Sequence, residues 1–127
     1  MRAFLIEPRE MRVRVVEHDG TLEGIYKLLG VDAIDATRFG EEGDAIYVDD
    51  YGLFKAEDGR LGVNDWFCVR GNPNALVGKG LVVGADSEGN DIEPRASLAW
   101  AIANVHWIQP VQTGSGVQFI PRRGRVH

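Results

Sequence analysis

Three groups of residues in this chain have side chains that can act on another molecule. The first is carboxylate: Asp44, Asp49 and Asp50 in one stretch, and Asp86, Glu88 and Asp91 in another. Paired carboxylates hold Mg2+ or Ca2+, or serve as acid and base. Both sets fall in segments that read as turns, where Asp bonds its own backbone. The stretch from Asp86 also fails the pattern of a calcium loop: Asp91 stands where the sharp bend needs glycine, and Ser97 where a closing glutamate belongs. Turn chemistry is the expectation, with no metal and no cofactor.

The second group is Gly78-Lys79-Gly80, since a glycine-rich loop with a lysine can cradle phosphate through backbone N–H groups. It is not a nucleotide P-loop: Pro73 takes the place of the first glycine, Gly80 replaces Ser or Thr, and a strand follows rather than a helix. A weaker anion site remains open, with Arg70 or Arg95 joining the loop and a tryptophan stacking a base. The third group is aromatic and basic. Trp66, Phe67, Trp100 and Trp107 are large apolar groups for a small domain, and Arg122, Arg123 and Arg125 crowd the C-terminal end. Histidines His18, His106 and His127 have no ligand spacing, and Cys68 lies in an apolar run that predicts an inert buried thiol. No nucleophile–base set follows from the spacing.

The elements that must position these residues follow from periodicity and breakers. Residues 2–6 and 13–16 read as a hairpin around Pro8. Leu22, Ile25 and Leu29 share one helical face, with Thr21 or Asp19 as cap and Gly30 as stop. Strands are expected over 33–39, 45–48, 53–56, 65–70 and 81–84. In this reading Gly43–Leu53 is a strand, a tight turn and the start of a second strand. A second helix is expected from about Pro94 or Ser97 to Ile108, ended by Pro110, with a last strand over Val117–Ile120. Because apolar residues fall on more than one face of that helix, Trp100 and Trp107 are candidate interface residues. The sum is an α+β domain: a mostly antiparallel sheet of about six to seven short strands with two helices packed on one face. Residues 1–108 form the domain, and 109–127 form an extension with a basic tail.

Composition bounds the rest. With 127 residues, 44% apolar and 26% charged, the chain suits one globular domain. No apolar run spans a membrane, no signal-peptide pattern opens the chain, and one cysteine permits no internal disulfide. A cytoplasmic protein is the expectation. Residues 1–93 carry all 19 acids, and 94–127 carry none but four arginines. Phosphates would be repelled by the acidic body, which argues against broad nucleic-acid binding.

Three segments in order, Met1–Pro8, Gly43–Leu53 and Gly78–Gly84, resemble a small family numbered 3846 among the domains of unknown function. The resemblance covers roughly residues 1–100. It implies an accessory protein of phages, plasmids and other mobile bacterial elements, and it supplies no catalytic residues. The leading expectation is a non-enzymatic binding protein that sequesters a host protein or a small nucleotide-like signalling molecule, with self-association through the second helix. Two alternatives stand behind it. One is a nucleic-acid binder using Arg122, Arg123 and Arg125; the other is a metal-dependent enzyme using Asp49 and Asp50.

Overall fold

The computed structural model describes residues 1–122, which form two antiparallel sheets, three α-helices and a short 3-10 turn at Pro8–Glu10. The strands are β1 (Arg2–Glu7), β2 (Arg12–Glu17), β3 (Ile34–Phe39), β4 (Asp44–Asp49), β5 (Trp66–Val69), β6 (Leu76–Val77), β7 (Gly80–Ala85), β8 (Asp91–Ile92), β9 (Val105–Thr113) and β10 (Gly116–Pro121). The helices are α1 (Leu22–Leu29), α2 (Gly52–Glu57) and α3 (Leu98–Asn104). One sheet runs β2-β1-β7-β4-β3, with β8 added beside β7; the other runs β10-β9-β5-β6. No helix among the described residues is long and apolar enough to cross a membrane.

The centre of the larger sheet is apolar on both faces because both are covered. Phe4 and Ile6 of β1, Phe39, Ile46 and Val82 join Phe67 and Val69 of the second sheet and Ala101 of α3 in one core. Ala3 and Leu5, with Leu81 and Val83, face the other way onto Ile25 and Leu29 of α1. The α+β class and the antiparallel pairing therefore hold. The layering differs from the expectation: α1 and α3 lie on opposite faces of the larger sheet, and ten strands divide between two sheets.

Two segments depart from their expected form. The segment 53–56 is not a strand but the body of α2. Asp49 explains the turn that starts it: one carboxylate oxygen accepts from the Tyr51 amide (2.9 Å) and the other takes the Lys55 ammonium (2.6 Å). The second helix begins as expected, with the Ser97 hydroxyl accepting the Trp100 amide at 3.0 Å, but it ends at Asn104. Val105, Trp107 and Ile108 favour strand over helix, and Val105–Ile108 pair with Val69, Cys68, Phe67 and Trp66. Pro110 lies inside β9 rather than after a helix, and the boundary expected at 108/109 falls within that strand. Val117–Ile120 is strand as expected, within β10.

Candidate functional site

A groove of about 670 Å3 opens between the β3–β4 turn, the end of β5 and the segment leading into α3. That volume is in the range of small-ligand sites, roughly 300–1,000 Å3. Its apolar base is Phe39, buried at the end of β3, with the Trp100 ring edge-on to it (centroids 5.5 Å apart, 75° between planes). Gly40 completes the bend at φ +70°, and a Cβ there would meet the Trp100 ring at 3.1 Å. A side chain at that position would therefore be both strained and crowded.

Buried Asp44 fixes the far wall. Its two oxygens accept the backbone N–H groups of Arg95 and Ala96, each at 2.8 Å, so the first residue of β4 holds the approach to α3. Arg95 then extends its guanidinium to the Ala85 carbonyl (2.8 Å), passing over Gly43 and Gly84. Arg70 follows β5 and is exposed at the opposite rim; its amide donates to the Asn104 carbonyl at 3.0 Å. Asn72 ties this loop to β3 through Thr37 Oγ1 (3.1 Å) and the Arg38 carbonyl (3.2 Å). Two arginines thus line a recess with an aromatic base, and arginine is the side chain suited to bidentate capture of phosphate or carboxylate. The exposed Glu41 and Glu42 also line it, and they oppose an anion while offering acceptors to an N–H or O–H donor.

The structure divides the anion set expected from sequence. Arg70 and Arg95 share the groove, together with Trp100. Gly78 and Lys79 line a different recess of about 250 Å3, among Arg9, Lys55, Asp49 and Asp65. Arg95 binds at the Ala85 end of β7 and Lys79 precedes the Gly80 end, roughly 17 Å away along a strand rising 3.3 Å per residue. Nor does the loop form an amide cradle. The Gly78 N–H donates to the Asp65 carbonyl at 2.8 Å, and Gly80 lies in the sheet opposite Ile6 and Val48.

The other sequence candidates take these places. Trp100 and Trp107 do not share a helix face, because Trp107 belongs to β9 and packs half-buried against the main core. Arg122 is held to the body: its amide donates to the Trp107 carbonyl (2.8 Å), and its guanidinium reaches the carbonyls of Pro8 (2.8 Å) and Asn64 (3.0 Å). Arg123 and Arg125 lie outside the described residues. Asp86 accepts the amides of Glu88 (2.9 Å) and Asn90 (2.8 Å), which is turn chemistry. Cys68 is half-buried, and burial pushes its thiol up.

Spacing did not reveal a partly buried cluster in which Asp91 accepts from His18 Nε2 (2.9 Å) and the Tyr47 hydroxyl (2.7 Å). Burial, followed by the hydrogen bond to Asp91 and its charge, pushes the Tyr47 hydroxyl up to about 12. The His18 side chain is 0% exposed, and the cluster ties the N-terminal segment to β4 and β8. With His18 and Asp91 73 positions apart, no local pattern could have announced it.

Residues 1–99 match the family described as a domain of unknown function, DUF3846. Comparison with curated proteins finds no match, and comparison with solved structures finds none. On the strength of a match across most of its length, the chain belongs to the DUF3846 family.

Proposed function

We propose that the protein is a non-catalytic binding protein of a mobile genetic element, and that it sequesters a small nucleotide-like anion in the Arg70–Arg95 groove. One observation carries this reading: two arginines 25 residues apart in sequence flank one recess whose base is Phe39 and Trp100. The guanidiniums would take phosphate, the exposed part of Trp100 would lie against a base or sugar, and Glu41 or Glu42 would accept from hydroxyl or amino groups. The mobile-element setting rests on what the family resemblance implies.

Native mass spectrometry of gently purified protein should show a retained small molecule that is lost on denaturation. A thermal-shift panel of cyclic nucleotides and ADP-ribose derivatives should contain a stabilising member. Arg70 is exposed, so Arg70→Ala should weaken that binder about tenfold, roughly 1.4 kcal/mol, while leaving unliganded melting unchanged. Arg95→Ala is the less clean variant, because its guanidinium also holds the Ala85 carbonyl. A bare protein that no panel member stabilises would overturn the reading.

A further inference from the structure

The C-terminal hairpin has an exposed strand edge of unusual composition. Residues 109–121 contain no charged side chain, in a chain that is 26% charged. Only Val105–Ile108 of β9 pair with β5; from Gln109 onward β9 pairs with β10 alone. A ribbon of two strands leaves the body, and such a ribbon is marginal in water without further cover. Its base is well fastened. The Trp66 and Phe119 rings lie 5.0 Å apart, Gln109 Nε2 donates to Asn64 Oδ1 at 2.8 Å, and Arg122 holds the far end of β10 through Pro8 and Asn64.

Every residue of β10 is exposed, including Val117, Phe119 and Ile120, and among the described residues no strand pairs with its outer edge. Natural sheets protect such an edge with charge, proline or a bulge. β10 carries no charge, its proline is Pro121 at the end where the ribbon joins the body, and it pairs with β9 residue for residue without a bulge.

We propose that β10 pairs antiparallel with β10 of a second copy of this chain, joining two four-stranded sheets into one across a two-fold axis. The electrostatics select this occupant. The whole chain is net −5, and residues 1–93 alone carry 19 acids against 10 bases, so copies repel over most of their surface. The ribbon is a stretch on which neither copy brings a charge. A strand edge paired antiparallel with itself is also self-complementary, since each copy supplies the N–H and C=O groups the other lacks. A nucleic acid would find no cation on these thirteen residues. The hairpin lies beyond the family match at 1–99, so the dimer belongs to this chain's own extension. It does not depend on the ligand proposed for the groove.

Sedimentation equilibrium on the full chain across micromolar to submillimolar concentration tests it. The expected species has twice the 14.0 kDa mass of one chain. In the register that sets Gln118 of one copy opposite Gln118 of the other, the double variant Val117→Lys with Ile120→Lys puts an ammonium on each face of the shared edge of both copies, the protection that natural edge strands carry. It should sediment as a monomer with far-UV dichroism retained, because both side chains are exposed. Gln118→Cys should form an intermolecular disulfide under mild oxidation that the wild-type chain, with Cys68 alone, does not. A wild-type monomer throughout the range overturns the proposal. So does a dimer that survives the lysine pair, or a folded Gln118→Cys chain that fails to cross-link.

Discussion

A Cβ built on Gly80 would lie 2.6 Å from Ile46 Cδ1 and 3.1 Å from Phe67 Cζ, both in the main core. The two readings of this glycine predict different results. If it served a phosphate cradle, Gly80→Ala would cost binding and little stability. Because it is a packing glycine, Gly80→Ala should cost about 1–3 kcal/mol through overpacking, read as a lower urea midpoint with an unchanged slope. The sequence marked Gly78-Lys79-Gly80 as a bend before a strand, and that much holds. It could not mark which atoms already occupy the space beside it, because Ile46 and Phe67 arrive from other strands. The same limit applied at the groove. Arg70, Arg95 and Trp100 were visible as residue types suited to an anion and a base. Their neighbours Phe39, Glu41 and Glu42 were not singled out, because the turn that presents them reads in sequence only as a glycine-bounded reversal.

The element that shapes the groove is the segment running into α3, and one carboxylate from β4 holds it. Asp44→Ala removes both acceptors from the Arg95 and Ala96 amides, leaving two N–H groups to find water at a half-buried position. The expected cost is about 2–3 kcal/mol. Hydrogen exchange should accelerate at residues 95–101 while α1 keeps its protection, since α1 packs on the other face of the larger sheet. If protection falls equally in α1, Asp44 supports the whole fold rather than this wall. The contrast between the helices also shows what was legible. All of α1 could be read locally: the Thr21 hydroxyl accepts the Gly24 amide at 3.0 Å, Asp19 supports Thr21, and Gly30 closes the helix at φ +68°. The start of α3 was equally local, through Ser97. Its end was not, because Val105 onward has apolar spacing that suits helix and strand alike. Pairing with β5 decides between them, and β5 lies some forty residues upstream. The short α2 depends on Lys55 reaching back to Asp49, an ion pair that a period-two reading of Leu53–Ala56 cannot contain.

At the scale of the whole molecule, 19 acids against 14 bases make carboxylate protonation the main lever on stability. Glu7 is buried at the end of β1, and burial by itself pushes its carboxyl up. The guanidiniums of Arg12 (3.0 Å) and Arg14 (2.6 Å), reaching across from β2, outweigh that and hold it below the ordinary 4.5. Asp19, Asp58 and Asp86 are lowered as well, chiefly by hydrogen bonds from Thr21, Arg60 and Asn90. All four therefore take up protons at higher pH in the unfolded chain than in the folded one. The unfolded state binds more protons on the acid side, so stability is fully present above the ordinary carboxylate values and is lost as pH falls through the folded ones. Urea midpoints should decline steadily from pH 5 toward pH 3. Strong salt should flatten the part owed to the surface ion pair of Asp58 with Arg60 more than the part owed to buried Glu7. Glu7→Gln separates that part. Both arginine partners are about half exposed and can be hydrated when the charge is removed, so the cost at pH 7 should be only about 1 kcal/mol. The variant's pH curve should be shallower than the parent's and converge with it once Glu7 of the parent is protonated. Parallel curves would mean that the hairpin's ion pairs contribute nothing to the acid limb, which would then rest on the turn carboxylates alone.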